Sequence, residues 1–173
     1  LLFSRKDYIR KRKVSSIYWG GGTPTILTCS QINRLAKALK DNFSISSDVE
    51  LTCEATPESI TSDKLGCFLE NGFNRLSIGV QTFDNKLLKS YNRSHTAEQA
   101  IKSFALSKRL GFSHINIDLM FGLADQTIYT WEKTLGMTKE LKPTNVTFYS
   151  FSDSCGKSIY KKSKHLFPSE EEK

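Results

Sequence analysis

Four polar side chains and one run of glycines carry the chemistry this sequence offers. Gly20-Gly21-Gly22 is followed by Thr23-Pro24-Thr25. Three successive residues without a Cβ let a backbone approach a ligand and reach φ > 0, although an ordinary turn would use them equally well. No Gly-Lys-Ser/Thr follows, so this is not a Walker loop, and the spacing is not that of a dinucleotide fingerprint. Glu54 closes an apolar run, where a carboxylate is costly unless it caps, pairs or binds. Gln81 ends another run with several hydrogen-bonding sites to fill. Asp118 stands between Ile117 and Leu119, both of core type. Arg93, in Asn92-Arg93-Ser94-His95, is a candidate fork for a carboxylate or a solvated arginine. His95 and His114 are single, and His95 reads as a surface or capping residue. No Ser-His-acid triad and no metal-ligand spacing can be assembled, so no catalytic residue and no metal ligand is assigned. What remains suits a zwitterionic ligand with hydroxyls. Arg93 can hold a carboxylate, Glu54 an amino group, and Gln81 and Asp118 ribose hydroxyls.

These residues need a scaffold that gathers strand ends. Five runs rich in β-branched and aromatic residues recur at Val14–Trp19, Val49–Cys53, Arg75–Val80, His114–Met120 and Asn145–Phe151. The gaps between them leave room for one helix each. Ile32, Leu35, Ala36, Leu39 and Phe43 repeat at helical spacing, with Ser30 as the expected N-cap. Leu65, Phe68 and Leu69 lead to Gly72. Ala97, Ala100, Ile101, Phe104 and Leu110 lead to Gly111, and Trp131, Leu135, Thr138 and Leu141 lead to Pro143. Near-continuous apolar strands alternating with helices predict a parallel α/β sheet. In such sheets, functional groups collect at the C-terminal ends of the strands. Leu2–Lys13 reads as a helix that would follow an earlier strand. Residues 1–153 read as one domain, and 154–173 as a linker or the start of an extension.

The composition, 38% hydrophobic and 25% charged over 173 residues, is globular. No apolar run reaches the ~20 residues of a membrane span. The net charge is +7, and its cluster at Arg5, Lys6, Arg10, Lys11, Arg12 and Lys13 lacks the aromatic interleaving of a nucleic-acid surface, so it reads as a solvated helix end. Cys29, Cys53, Cys67 and Cys155 are too widely spaced for a zinc or iron–sulfur site and read as free thiols in a reducing cytoplasm.

Four ordered strings together carry a resemblance: Ile17-Tyr18-Trp19-Gly20-Gly21-Gly22-Thr23-Pro24-Thr25, Glu54-Ala55-Thr56-Pro57-Glu58-Ser59, Gly72-Phe73-Asn74-Arg75-Leu76-Ser77-Ile78-Gly79-Val80-Gln81 and Asn116-Ile117-Asp118-Leu119-Met120-Phe121-Gly122-Leu123. Over residues 14 to 153 the chain resembles the radical S-adenosylmethionine (SAM) family, in its oxygen-independent coproporphyrinogen III oxidase and haem-chaperone branch. The resemblance implies a partial TIM-like (β/α)6 barrel whose first strand lies outside this chain. It implies SAM along the C-terminal rim, with Gly20, Gly21, Gly22 and Thr23 against the methionine end. Glu54, Gln81, Arg93 and Asp118 match positions holding the methionyl group and ribose. Met120 would lie near the sulfonium or adenosine, and Ser152 at an adenine contact. It also implies a [4Fe–4S] cluster on a Cys-x3-Cys-x2-Cys loop, with ligands outside this chain, and an electron donor for it. Porphyrin would be the substrate of an oxidase that cleaves SAM to a 5′-deoxyadenosyl radical. Haem would be the cargo of a chaperone, to which the Gln81–Glu98 stretch is closer. A degenerate SAM-binding domain is the third alternative. This chain alone is expected to be inactive. Ala124 stands where the family usually has Pro, and Thr56 where the chaperone branch usually has Asn.

Overall fold

Each helix starts where a short polar side chain can take up the unsatisfied N–H groups of its first turn. In the computed structural model, which describes residues 12–151, Thr28 caps α1 (Cys29–Asn42) and Gln31 closes the capping box. Thr61 caps α2 (Ser62–Glu70), and Asp84 caps α3 (Asn85–Ser90) through the N–H groups of Lys86 and Leu87. Thr96 and Thr127 cap α4 (Ala97–Leu110) and α5 (Ile128–Leu141). Ser30, the expected cap of α1, is instead its second residue. Thr28 takes the role because Gln31 stands three residues on and can return the hydrogen bond to the cap. The six-residue α3 carried too short a pattern to be read from sequence.

Among the described residues the strands are β1 (Lys13–Trp19), β2 (Ser44–Ala55), β3 (Arg75–Gln81), β4 (His114–Phe121) and β5 (Asn145–Ser150). They form one sheet in chain order, every neighbouring pair parallel. This half-barrel is the predicted architecture. Strand β2 starts five residues before the expected Val49, and Lys13, expected to end a helix, opens β1. The rest of the helix expected over Leu2–Lys13, apart from Arg12, lies outside the described residues, as do the domain boundary at residues 153/154 and Cys155.

The strands are not near-continuously apolar. One face carries Leu51, Cys53, Ala55, Leu76, Ile78, Val80, Ile115, Ile117 and Leu119, all buried against Ile32, Leu65, Phe68, Ala100 and Phe104 of the helices. Trp19 joins this layer edge-on, its ring 4.7 Å from Phe73 and 6.0 Å from Phe68. The other face is polar. Arg75 donates to Asn145 Oδ1 at 3.0 Å and lies 3.7 Å from Glu50 near the N-terminal end. Asn116 donates to Ser77 and Asp118, and Thr147 donates to Asn116 Oδ1 at 3.1 Å. The period of two sorts the side chains between an apolar outer layer and a polar inner one.

Cys29, at the start of α1, is bonded to Cys67 in α2, with Cα atoms 5.7 Å apart. This corrects the expectation of free thiols for these two. Their separation of 38 residues gave no hint of contact, but consecutive crossovers set α1 and α2 side by side on the outer face. Cys53 is a free, buried thiol, as the apolar pattern around it predicts.

Candidate functional site at the C-terminal rim

The loop after β1 is tied down beyond its glycines. The buried Thr25 hydroxyl meets Ser59 Oγ at 2.5 Å, and Lys64 Nζ donates to the Leu27 carbonyl. Gly20, Gly21 and Gly22 therefore sit exposed at the rim while their continuation is anchored to the segment after β2. Gly21 takes φ +84, and a Cβ on Gly21 or Gly22 would meet no atom within 4 Å. Gly20 has a different reason to be glycine. A Cβ there would stand 2.6 Å from both Glu54 Cδ and Tyr18 Cε1. Thr23 flanks the short 3-10 turn Pro24–Ile26 without a capping bond from its side chain.

Glu54 leaves β2 on the polar face. Its Oε1 accepts the Tyr18 hydroxyl at 2.7 Å, and its Oε2 accepts the Gly21 N–H at 3.2 Å. Tyr18 was not among the residues singled out from sequence, because a tyrosine inside an apolar strand reads as core. The alternation placing Trp19 outward was the available signal. Burial first, then the Glu54 hydrogen bond and the charges of Glu54 and Asp118, push the Tyr18 phenol well above its ordinary range. It therefore stays a donor.

Asp118 pairs in register with Gly79 of β3. It accepts Ser77 Oγ at 3.0 Å and Asn116 Nδ2 at 2.7 Å. Burial raises its carboxyl above the ordinary value, and the Glu54 charge adds to this, against the hydrogen bonds from Ser77, Asn116 and Thr147. Tyr149, half exposed on β5, has its phenol raised chiefly by the Asp118 charge. The half-buried Met120 precedes the end of β4, and its carbonyl accepts Gln126 Nε2 at 3.2 Å.

Gln81 ends β3 after a register shift that leaves Gly79 opposite Asp118 and Gln81 opposite Leu119. Its φ is +70, and the Thr82 N–H donates back to the Val80 carbonyl at 2.9 Å. This is a γ-turn of the rare, strained hand, of the kind found where a site dictates backbone shape. A Cβ on Gly79 would lie 2.9 Å from Gln81 Nε2, so the side chain folds over the space that the glycine leaves.

His95 is buried at 3% exposure, which corrects its reading as a surface or capping residue. Nε2 donates to the Val80 carbonyl at 3.1 Å, and Nδ1 lies 3.3 Å from Glu58 Oε2. Burial alone would raise Glu58. Its hydrogen bonds, led by the Ser94 hydroxyl at 2.7 Å, with the nearby His95, outweigh that and hold it below the ordinary value. Arg93, two residues before His95, is exposed, and its backbone N–H donates to the Leu88 carbonyl. Ser152 lies outside the described residues.

Glu54 and Gln81 thus lie at the C-terminal ends of β2 and β3 and Asp118 in the C-terminal half of β4, with the glycine loop bonded to Glu54. This donor set fits an amino-acid and ribose ligand. It does not fit a metal cluster: among the described residues no three His, Cys, Asp or Glu side chains are grouped to hold a metal ion. Residues 5–137 match the radical SAM superfamily. The chain belongs to the radical SAM superfamily. That superfamily in general uses SAM together with a [4Fe–4S] cluster.

Within the radical SAM superfamily, the chain is 38% identical over 141 residues to the oxygen-independent coproporphyrinogen III oxidase of Escherichia coli (strain K12), covering 82% of this chain and 31% of that protein. It is 37% identical over 138 residues to the heme chaperone HemW of Lactococcus lactis subsp. lactis (strain IL1403), covering 80% of this chain and 36% of the chaperone. The chain spans about a third of the length of these curated relatives. The solved structure of the E. coli radical SAM enzyme coproporphyrinogen III oxidase (HemN) superposes with a TM-score of 0.89 at 33% identity, covering 99% of this chain and 40% of that one. The archaeal Methanocaldococcus infernus Elp3, with a TM-score of 0.74 at 20% identity over 95% of this chain and 44% of that one, shares the fold. No helix among the described residues is long and apolar enough to cross a membrane.

Proposed function

We propose that this domain binds SAM along the C-terminal rim of its half-barrel, within a radical SAM protein that acts on porphyrin or carries haem. The supporting observation is that Glu54 is held by the Tyr18 hydroxyl and the Gly21 N–H at the end of one strand, with Gln81 closing the next and Asp118 in the C-terminal half of the one after. Glu54 accepts from the ligand's amino group, and the open backbone of Gly21 and Gly22 admits the methionyl chain. Asp118, fixed by Ser77 and Asn116, presents its carboxylate to ribose hydroxyls. Gln81 adds a donor and an acceptor beside it. Arg93 meets the carboxylate, and Met120 lies against the adenosine side. When bound, SAM beside an iron–sulfur cluster supplies one-electron carbon-radical chemistry. The chain's own residues bind and orient, and none of the described residues is grouped to hold the cluster.

For the whole protein we infer oxidation of coproporphyrinogen III, in line with the relative at 38% identity. Haem delivery is the second reading, in line with the chaperone at 37%. Calorimetric titration of the full chain with S-adenosylhomocysteine tests the site. Glu54→Gln and Asp118→Asn should each weaken binding by about tenfold, as expected for lost hydrogen bonds to charged groups. Unchanged affinity in both would refute the rim site. Anaerobic incubation of the whole, cluster-bearing protein with SAM and coproporphyrinogen III under reduction then separates the two readings. Loss of carbon dioxide marks the oxidase, and stoichiometric haem binding without turnover marks the chaperone.

A further inference from the structure

Tyr18 has so far been only a hydrogen-bond donor, but its surroundings say why a tyrosine is there. The residue is 57% exposed, so filling the core is not its purpose. It sits one residue before the end of β1, paired in register with Thr52 on the polar face, two residues ahead of Glu54. Its hydroxyl takes one lone pair of Oε1 at 2.7 Å, while the Gly21 N–H takes one of Oε2 at 3.2 Å. A carboxylate offers about four such sites, so each oxygen keeps capacity for a further donor. The Tyr18–Glu54 pair also has space reserved for it. A Cβ on Gly20 would come within 2.6 Å of both side chains, so the first glycine of the loop is the gap they occupy. Glu54 therefore cannot keep this rotamer if Gly20 gains a side chain.

We propose that Tyr18 is a positioning residue. By holding Glu54 in one rotamer, with one lone pair of each oxygen already engaged, it aims the remaining lone pairs at the amino group of the ligand. This rests on the reading of the rim as a SAM site. An unheld glutamate at a strand end samples several rotamers and must be ordered on binding, which weakens affinity. Tyr18 removes that ordering step in advance, and its contribution is confined to ligands that carry the amino group.

The test uses two ligands that differ at that group. S-adenosylhomocysteine has the amino-acid moiety, whereas 5′-methylthioadenosine keeps the adenosine and thioether and lacks it. Both are titrated calorimetrically into the full chain as wild type, Tyr18→Phe, Glu54→Gln and the double variant. Tyr18→Phe should weaken S-adenosylhomocysteine roughly tenfold, the scale of one hydrogen bond to a charged group. It should leave 5′-methylthioadenosine within about twofold, and it should add nothing in the Glu54→Gln background, since a pair acting as a unit is non-additive. Equal weakening of both ligands, or additive losses, would assign Tyr18 a merely structural role and overturn the proposal. Wild-type affinity of Tyr18→Phe for S-adenosylhomocysteine, beside a weakened Glu54→Gln, would overturn it while sparing the SAM site. Unaltered binding by Glu54→Gln would remove the site and the proposal together.

Discussion

The carbonyl oxygen of Val80 accepts Nε2 of the buried His95 at 3.1 Å while it also closes the tight turn around Gln81. The other ring nitrogen faces Glu58, in the segment that follows Glu54. One imidazole therefore lies between the strained end of β3, which it hydrogen-bonds through Nε2, and the loop after β2, which its Nδ1 approaches without a hydrogen bond.

His95→Ala should accordingly cost about 2–4 kcal/mol of stability, the range for losing a buried side chain together with its polar partners. Urea unfolding of the domain measures this. The same variant should weaken S-adenosylhomocysteine, because the Gln81 turn then keeps only the Thr82 N–H bond to the Val80 carbonyl to hold its unfavourable φ. A loss below ~0.5 kcal/mol, the level of an ordinary surface change, would show that the clamp is not needed.

Gly20→Ala and Gly79→Ala should separate cleanly. At Gly79 the added methyl meets the flexible end of Gln81, 2.9 Å away, which can swing aside. Stability should change little, while ligand affinity drops as Gln81 leaves its place. At Gly20 the methyl strikes Glu54 and the Tyr18 ring together. That variant should lose both binding and about 1–3 kcal/mol of stability, as overpacked sites do. Thermal melts beside calorimetric titration distinguish the two outcomes.

Asp118 gives a pH signature. Burial raises its folded-state value above 3.8, so the folded chain holds that proton more tightly than the unfolded chain does. Stability contributed by this group is therefore present at low pH and is lost as pH rises through the raised value. Asp118→Asn should be relatively more stable at about pH 7 than at about pH 4, when each is compared with wild type, while binding ligand less well. Denaturant unfolding across that range checks the sign, and a difference that does not vary with pH would contradict it.

The 173-residue chain, reconstituted anaerobically with iron and sulfide, should take up no stable [4Fe–4S] cluster. Cys29 and Cys67 are bonded to each other and Cys53 is buried, its thiol pushed up to about 12 by burial. Visible absorbance and iron content report uptake. A chain that also carries a closely spaced three-cysteine loop should bind the cluster and form 5′-deoxyadenosine under dithionite. Alkylation after reduction should reach Cys29 and Cys67 well before Cys53.

Strand order, the four longer helices and the places of Glu54, Gln81 and Asp118 along their strands were legible because short apolar runs and helical spacing are local signals. Glu54 and Asp118 stood out as charges in apolar company. Three features were not local. The Cys29–Cys67 bond joins segments 38 residues apart and depends on how two crossovers pack. His95 looked exposed because its burial comes from Val80 and the Glu58 loop, neither of them its sequence neighbour. Tyr18 was hidden by its own hydrophobicity: ring size and strand context suggested packing, while register placed its hydroxyl on Glu54.

The division of the sheet into an apolar outer layer and a polar inner one has a practical corollary for redesign. Leu76, Ile78, Val80, Ile115, Ile117 and Leu119 bear the packing, while Ser77, Gly79, Asn116 and Asp118, interleaved with them on the same two strands, make up the polar face, where Ser77 and Asn116 hold Asp118. Core packing and the polar network are thus written on alternate letters of one text. A library confined to the polar-face positions, Ser77 and Gly79 on β3 and Asn116 and Asp118 on β4, leaves the apolar layer on the opposite face of the sheet untouched.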